Sequence, residues 1–254
     1  MLKVLLGFTS LIALVSCAQL NPVQAGTSPI SHSLFDTLLK KHVDDVGLVD
    51  YKGFLADRDK LRQYLDLLSN NAPNDEQWTD HDQIAYWINA YNAYTIELIL
   101  DYYPLESIKD IGSSIQVPFV NTPWDIKFFK IDGEKYDLNN IEHDILRKKW
   151  EEPRIHFAVN CASLSCPQLR AEAYTGAKLD EQLDDQARRF INDGFRNDIS
   201  QDQASLSKLF KWYSGDFEKV MDVEKYINQY ADIKITDKTG VEYKEYDWSL
   251  NQTE

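Results

Sequence analysis

Apolar residues at three- and four-residue spacing predict that helices make up much of this chain. The longest such pattern covers residues 80–102, with Thr79 and Asp82 positioned to cap its start and Pro104 to end it. Its apolar positions form one continuous stripe. The pattern therefore predicts a long helix that packs this stripe into a core.

Shorter helices are predicted on both sides of the long one, over residues 32–45, 55–68, 140–149, 179–191 and 223–230. Asn139 and Glu142 stand three residues apart at the start of the 140–149 segment and resemble a capping box. The Glu142-His143-Asp144 run is interpreted as a solvated helix face.

Strand signals are fewer and occur mainly in the second half of the chain. Asp132-Gly133 between two short apolar runs predicts a tight hairpin over residues 128–136. Alternation predicts a strand over residues 154–160, a further strand over 204–210, and an edge strand or docked tail over 241–248. The expected fold is α+β, a helix-rich single domain packed on a small, mostly antiparallel sheet.

The N-terminal segment predicts the compartment. Lys3 precedes an apolar stretch over residues 4–15 that is too short to span a bilayer, and the stretch ends in Leu14-Val15-Ser16-Cys17. This tetrapeptide resembles a bacterial lipobox, in which a peptidase cuts before the cysteine and acyl chains such as palmitate anchor it. Residues 1–16 are therefore predicted to be a signal peptide and Cys17 a lipid anchor.

The alternative is a soluble secreted protein cut after Val23-Gln24-Ala25. Ala18, in place of an aspartate, resembles lipoproteins sent to the outer membrane. Residues 17–31 are predicted to form a tether and residues 32–254 a single domain. The expected localisation is the bacterial cell envelope.

Charge argues against nucleic acid as a partner. The chain has a formal net charge of −14, and removal of Lys3 with the signal peptide leaves 26 Lys and Arg against 41 Asp and Glu. So acidic a surface repels phosphate backbones and favours solubility. The expected partners are the membrane, through Cys17, and a protein, peptide or glycan.

The densest candidate chemistry lies in residues 156–167, which contain His156, Cys161 and Cys166. On a strand, His156 and Cys161 would point to opposite faces, whereas Cys166 lies beyond the turn and can return alongside His156. If the segment is catalytic, Cys166 is the expected nucleophile and His156 its base. In an oxidising envelope the two cysteines can instead form a disulfide that staples the turn, and a third interpretation is that they are inert reduced thiols. Neither a metal nor a cofactor is predicted, because no fourth zinc ligand is placed by spacing.

Asn89 and Asn92 form a second cluster on one face of the long helix. Asparagine is a poor helix former, so two of them inside an apolar helix require hydrogen-bond partners. They are expected either to orient His156 or hold a substrate carbonyl, or to satisfy backbone groups of a loop in the core.

These motifs together resemble the domain of unknown function 547 family. The resemblance rests on Tyr86-Trp87-Ile88-Asn89-Ala90-Tyr91-Asn92-Ala93, Leu138-Asn139-Asn140-Ile141-Glu142-His143, Arg154-Ile155-His156-Phe157-Ala158-Val159-Asn160-Cys161, Ser165-Cys166-Pro167-Gln168-Leu169, Leu206-Ser207-Lys208-Leu209-Phe210-Lys211-Trp212-Tyr213 and Tyr246-Asp247-Trp248-Ser249-Leu250-Asn251. It covers nearly the whole chain after the signal peptide and implies no particular activity.

A weaker likeness is to papain- and transglutaminase-type folds, in which a cysteine at a helix start meets a histidine on a later strand. Here the long helix has no cysteine, which implies a non-catalytic relative or the use of Cys166 from another direction.

Two functions are therefore expected. The first is a lipid-anchored binding or assembly module with a structural Cys161–Cys166 staple. The alternative is a thiol-dependent acyl transferase or peptidase-like hydrolase that uses Cys166 and His156, with Asn89 or Asn92 as the orienting amide.

Overall fold

The computed structural model describes residues 28–112 and 122–253 of the chain. The predicted signal peptide and the lipid-anchor residue Cys17 lie outside the described residues, as does most of the predicted tether. Within the described ranges, no helix combines the length and the apolar character that crossing a bilayer requires.

Helices dominate the described chain. Their bounds are α1 Ser33–His42, α2 Tyr51–Ala56, α3 Arg58–Ser69, α4 Asp80–Tyr102, α5 Arg147–Lys149, α6 Ile155–Ala158, α7 Leu179–Ile191, α8 Lys208–Trp212, α9 Ser214–Glu218 and α10 Val223–Tyr230. A π-helical segment, Asn140–Leu146, runs directly into α5.

The strands form two small sheets. Their bounds are β1 Phe129–Ile131, β2 Glu134–Tyr136, β3 Asp198–Ile199, β4 Gln203–Leu206 and β5 Gly240–Tyr243. β1 and β2 form an antiparallel hairpin, whereas β4 pairs antiparallel with β3 and parallel with β5. The fold is α+β with mostly antiparallel strand pairs, as the sequence pattern predicted.

Helix α4 is the centre of the larger core. Thr79 caps it by accepting a hydrogen bond from the Asp82 amide at 3.2 Å, as predicted. Every residue from position 83 to 100 is buried, including both sides of the helix. Helices α2, α3 and α7 and the π-helical segment all contact it, which explains why a single apolar stripe underestimates its burial.

A second, smaller core is built from aromatic rings on α6 to α10. Phe157 of α6 packs against Phe190, Phe210 and Phe217, with ring centroids 5.2 to 5.9 Å apart. Its neighbour Ile155 belongs to the larger core instead. Residues 155–158 therefore lie where the two cores meet.

The predicted strand over residues 154–160 is wrong. Residues 155–158 form the short helix α6, which begins just after Pro153, and the chain becomes extended only at Val159. All six residues from Ile155 to Asn160 are buried. The alternation of residue types therefore did not correspond to an alternation of exposure, which is what normally makes it a strand signal.

Three other boundaries differ from the predictions. The predicted helix over residues 55–68 divides at Asp57, which ends α2 and begins α3. The strand expected over 204–210 stops at Leu206, because the Ser207 side chain accepts from the Leu209 amide and starts α8. Asn139 does not cap the next helix; Asp137 accepts from the Asn140 amide at 2.7 Å instead.

Gly47 marks a close approach between the N-terminal helices and the chain that follows the thiols. Its φ is +80°, and a Cβ there would lie 2.6 Å from Gln168 Cβ and 2.8 Å from Gln168 Cα. Gly133 in the hairpin has the same φ, but an added Cβ would meet no atom within 4 Å. A side chain at Gly133 would therefore meet only backbone strain, whereas a side chain at Gly47 would meet both backbone strain and a steric clash.

We expect Gly133→Ala to cost about 1 kcal/mol of unfolding free energy, since only the left-handed conformation is strained. Gly47→Ala should cost about 3 kcal/mol, because backbone atoms must also move to admit the methyl group. Chemical denaturation of the two variants measures the difference. Equal losses would show that the contact with Gln168 does not resist the added methyl group.

Candidate functional site

An open cleft of about 350 Å³ lies between residues 159–167, here called the thiol loop, and the C-terminal part of the chain. Its lining is mostly aromatic or apolar, with a smaller number of polar side chains. The lining residues are Thr122, Trp124, Asn139, Glu142, His143, His156, Val159, Cys161, Cys166, Pro167, Leu209, Trp212, Tyr213, Tyr246 and Trp248. This is the volume and lining expected of a small-ligand or side-chain pocket.

Asn92 holds the start of the thiol loop. Its side-chain amide donates to the Ala158 carbonyl at 3.0 Å and accepts from the Asn160 amide at 2.8 Å. The side chain thus satisfies both backbone groups that flank Val159, where α6 ends.

Asn89, one turn earlier, makes the same two-point contact elsewhere. It donates to the Tyr174 carbonyl at 2.8 Å and accepts from the Tyr174 amide at 3.0 Å. Neither asparagine hydrogen-bonds to His156 within the described ranges. Their geometry is that of amides that satisfy buried backbone groups.

The thiol loop itself is a tight turn. The Asn160 side chain accepts from the Ala162 amide at 2.9 Å and donates to the Pro167 carbonyl at 2.7 Å. Ala162 has a φ of +60°, an uncommon value for a residue with a Cβ. This turn brings the Cys161 amide to 2.8 Å from Cys166 Sγ.

Cys161 and Cys166 are both free thiols, with a sulfur–sulfur distance of 2.8 Å. Cys161 is half-buried on the cleft wall, while Cys166 is only 3% exposed. The structure brings the two sulfurs together, as a staple requires, and the disulfide itself stays a prediction.

The pKa values of the two thiols are shifted in opposite directions. Burial alone would raise the pKa of Cys161, but hydrogen bonds with Cys166, Ser163 and Tyr246 bring it below its usual value. Burial raises the pKa of Cys166 well above its usual value, and its bond with Cys161 raises that pKa further. The accessible sulfur is therefore the more acidic one, whereas the sequence-based hypothesis assigned nucleophilic attack to Cys166.

His156 is held by a carboxylate that comes from α9. Its Nε2 lies 2.8 Å from Asp216 Oδ2, and its ring stacks on Tyr213 with centroids 3.9 Å apart. The ring is 2% exposed, and its Nδ1 is buried without a hydrogen-bond partner. Burial lowers the pKa of His156 despite the neighbouring Asp216, so the ring is neutral near pH 7.

A network of paired polar groups surrounds this histidine. Glu142 is 6% exposed and accepts a 2.5 Å hydrogen bond from the Tyr213 hydroxyl. The solvated face predicted for residues 142–144 is therefore wrong at Glu142, whereas Asp144 is exposed. Arg147 bonds both Asp216, at 2.5 Å, and His143, at 2.9 Å. Burial alone would raise the pKa of Asp216, but hydrogen bonds with His156, Arg147 and Lys219 hold it well below its usual range.

The C-terminal strap, residues 246–251, closes one side of the cleft. The Leu164 amide donates to the Ser249 carbonyl at 2.9 Å, and the Asn251 amide donates to the Ala162 carbonyl at 3.4 Å. Tyr246 and Trp248 of the strap pack together with a centroid distance of 4.5 Å. The strap thus brings aromatic rings and backbone partners to the thiol loop.

The structure brings together the predicted residues His156, Cys161 and Cys166 on one cleft, although no hydrogen bond joins His156 to either sulfur in the described part of the chain. Sequence reasoning did not identify Asp216 or the role of Glu142. Tyr213 and Tyr246 stood in quoted motifs, which was the one available signal that they belong to a site. Among the described residues, no cluster of three or more His, Cys, Asp or Glu side chains is arranged to hold a metal ion.

Residues 76–191 match the model of the family described as protein of unknown function, DUF547. No curated protein and no solved structure matches the chain. The matched range contains both asparagines, His156 and both thiols, whereas Asp216 and the strap lie beyond it. The likeness to papain- and transglutaminase-type folds stays a prediction. The match over residues 76–191 supports the resemblance to the DUF547 family that the motifs predicted.

Proposed function

We propose that the protein is a lipid-anchored binding module of the bacterial cell envelope, and that its cleft captures an apolar side chain of an extended polypeptide. The observation that carries this proposal is the cleft lining, where aromatic rings are accessible while most polar groups already bond to other groups of the protein. The lipobox-like sequence ending at Cys17 supports the anchor.

The accessible part of the cleft is aromatic. Trp212 is 49% exposed, with its ring centroid 4.8 Å from Tyr246 and 6.2 Å from Trp248. Trp124 also packs against Trp248, with ring centroids 5.6 Å apart. Large, rigid rings of this kind contribute contact area at a low cost in side-chain entropy.

Most polar lining groups already bond to other groups of the protein, although His156 Nδ1 is buried without a partner. Asn139 donates to Asp125 at 2.5 Å, Glu142 accepts from Tyr213, and His143 pairs with Arg147. A glycan needs many free donors and acceptors for its hydroxyl groups, and an apolar side chain needs none. The pairing therefore favours a polypeptide over a glycan.

Acyl transfer by Cys166 and His156 has less support. That reaction needs a base within hydrogen-bond reach of the nucleophile. No hydrogen bond joins His156 to either sulfur among the described residues, and Cys166 is buried with a raised pKa. These contacts favour binding over acyl transfer.

The test uses surface plasmon resonance on full-length acylated protein in a supported bilayer, with binding to bare bilayer subtracted. The probes are a 15-residue Gly/Ser peptide with one central Trp, the same peptide with Ser at that position, and cellotetraose. We expect millimolar binding of the Trp peptide alone, the range for one anchored side chain. Trp212→Ala should weaken it about tenfold, which corresponds to about 1.4 kcal/mol.

Phe195→Ala is the matched control, because Phe195 is 56% exposed and does not line the cleft. This variant should bind as the parent does. Equal binding of the Trp and Ser peptides, or cellotetraose binding that depends on Trp212, would overturn the polypeptide proposal.

A further inference from the structure

The two thiols that line the cleft support a second inference. We propose that Cys161 and Cys166 form a reversible dithiol–disulfide couple, with Cys161 as the exchanging sulfur, that reacts with a disulfide of a polypeptide seated in the cleft. The couple stands on the thiol geometry alone, whereas its polypeptide substrate rests on the proposed function.

Proximity is the first support. The sulfurs lie 2.8 Å apart, and a disulfide bond needs about 2.05 Å. Closing the bond therefore requires a movement of under about 1 Å within one loop. The Cys161 amide, 2.8 Å from Cys166 Sγ, already holds the second sulfur in place.

Asymmetric access is the second support. Cys161 faces the cleft, and the hydroxyls of Ser163 and Tyr246 each lie 3.4 Å from its sulfur. Cys166 is buried behind it. A dithiol in which one sulfur meets the substrate and the other stays protonated until needed is suited to exchange, because the thiolate is the attacking form.

The loop does not depend on a disulfide for its shape. Asn92 holds its start, and Arg196 donates to the Cys166 carbonyl at 2.5 Å and the Leu164 carbonyl at 2.8 Å. The strap adds further backbone hydrogen bonds. A disulfide that closes so short a loop also restricts the unfolded chain least. Because these contacts already hold the loop, a permanent disulfide would add little to its stability.

The exchange proceeds in two balanced steps. The Cys161 thiolate attacks one sulfur of the substrate disulfide, forming a Cys161–substrate disulfide and releasing one substrate thiolate. The Cys166 thiol then loses its proton and attacks Cys161 Sγ, forming Cys161–Cys166 and releasing the second substrate thiolate. The protein dithiol loses two electrons and two protons, and the substrate disulfide becomes two thiols.

The couple is tested on full-length acylated protein in liposomes, incubated with oxidised glutathione and then with dithiothreitol under native conditions. Alkylation followed by mass spectrometry counts the free thiols. We expect wild type to form an internal disulfide that dithiothreitol reduces without unfolding the protein. Cys166→Ser should retain one glutathione on Cys161, and Cys161→Ser should react at least tenfold more slowly.

A disulfide that resists dithiothreitol until the protein unfolds would overturn the couple and identify a staple. Equal reactivity of the two serine variants would overturn the assignment of Cys161. The substrate is tested separately, with two Gly/Ser peptides in mixed disulfide with glutathione that differ in Trp or Ser beside the cysteine. A rate about tenfold higher for the Trp peptide is expected. Equal rates would overturn the proposal that the substrate is a polypeptide, but would leave the proposed dithiol–disulfide couple unaffected.

Discussion

Replacing Asn92 by alanine is expected to lower the free energy of unfolding by about 4 kcal/mol. The change leaves the Ala158 carbonyl and the Asn160 amide without partners inside the core, and each unsatisfied buried group costs about 1–3 kcal/mol. The lost side-chain volume adds a small cavity. Urea denaturation at pH 7 measures the loss.

Asn89→Ala is the matched control for the role of Asn92 at the site. It removes the same pair of hydrogen bonds, in this case to the backbone of Tyr174, and should destabilise the protein by a similar amount. Of the two asparagines on α4, Asn92 alone bonds the residue that precedes Cys161. The alkylation rate of Cys161 should therefore change in Asn92→Ala and stay at the parent value in Asn89→Ala.

The same rate change in both variants would mean that general loosening, and not the Asn92 contact, sets the reactivity of Cys161. Thr95→Val extends the comparison along the same helix. The Thr95 hydroxyl is buried without a partner, so its removal should leave stability unchanged or slightly higher.

Acidification from pH 7 to pH 5 should cost about 2 kcal/mol of unfolding free energy through His32 alone. Burial lowers the pKa of His32 to about 4, against a smaller opposing effect of Asp82. The unfolded chain therefore binds this proton below pH 6.5, while the folded protein binds it only near pH 4. The contribution of His32 to the free energy of unfolding is therefore fully present above pH 6.5 and is lost as the pH falls toward 4.

His32→Asn tests this assignment by comparing slopes. His32 Nδ1 lies 2.7 Å from the Tyr64 hydroxyl, and an asparagine Oδ1 can accept the same hydrogen bond without titrating. The variant should lose about 2 kcal/mol of the pH dependence between pH 7 and pH 5. Burial also lowers the pKa of His156, so some dependence of the same sign should remain. A slope equal to that of the parent would contradict the assignment.

Local signals predicted much of the fold. The cap at Thr79, the Asp132-Gly133 turn and the periodicity of residues 179–191 correspond to α4, the β1–β2 hairpin and α7. Each of these elements is specified by residues close together in sequence. The strand over residues 154–160 was mispredicted because residues 155–160 are all buried, so alternation there carries no information about exposure.

The site was predicted only in part, because only some of its residues lie close together in the sequence. His156, Cys161 and Cys166 are neighbours in sequence, so their clustering is visible without a structure. Asp216 lies 60 residues beyond His156, and Tyr246 lies 85 residues beyond Cys161. No periodicity or spacing links such distant positions, because tertiary packing alone brings them together.

The C-terminal strap also sets the order in which the site can be completed during biosynthesis. Tyr246 is synthesised 85 residues after Cys161, so both thiols are translated before the segment that covers them. Domains generally form from the N-terminus as the chain emerges. During that interval the cysteines are open to oxidants and to other nascent chains. Their protection therefore depends on how fast the end of the chain arrives and docks.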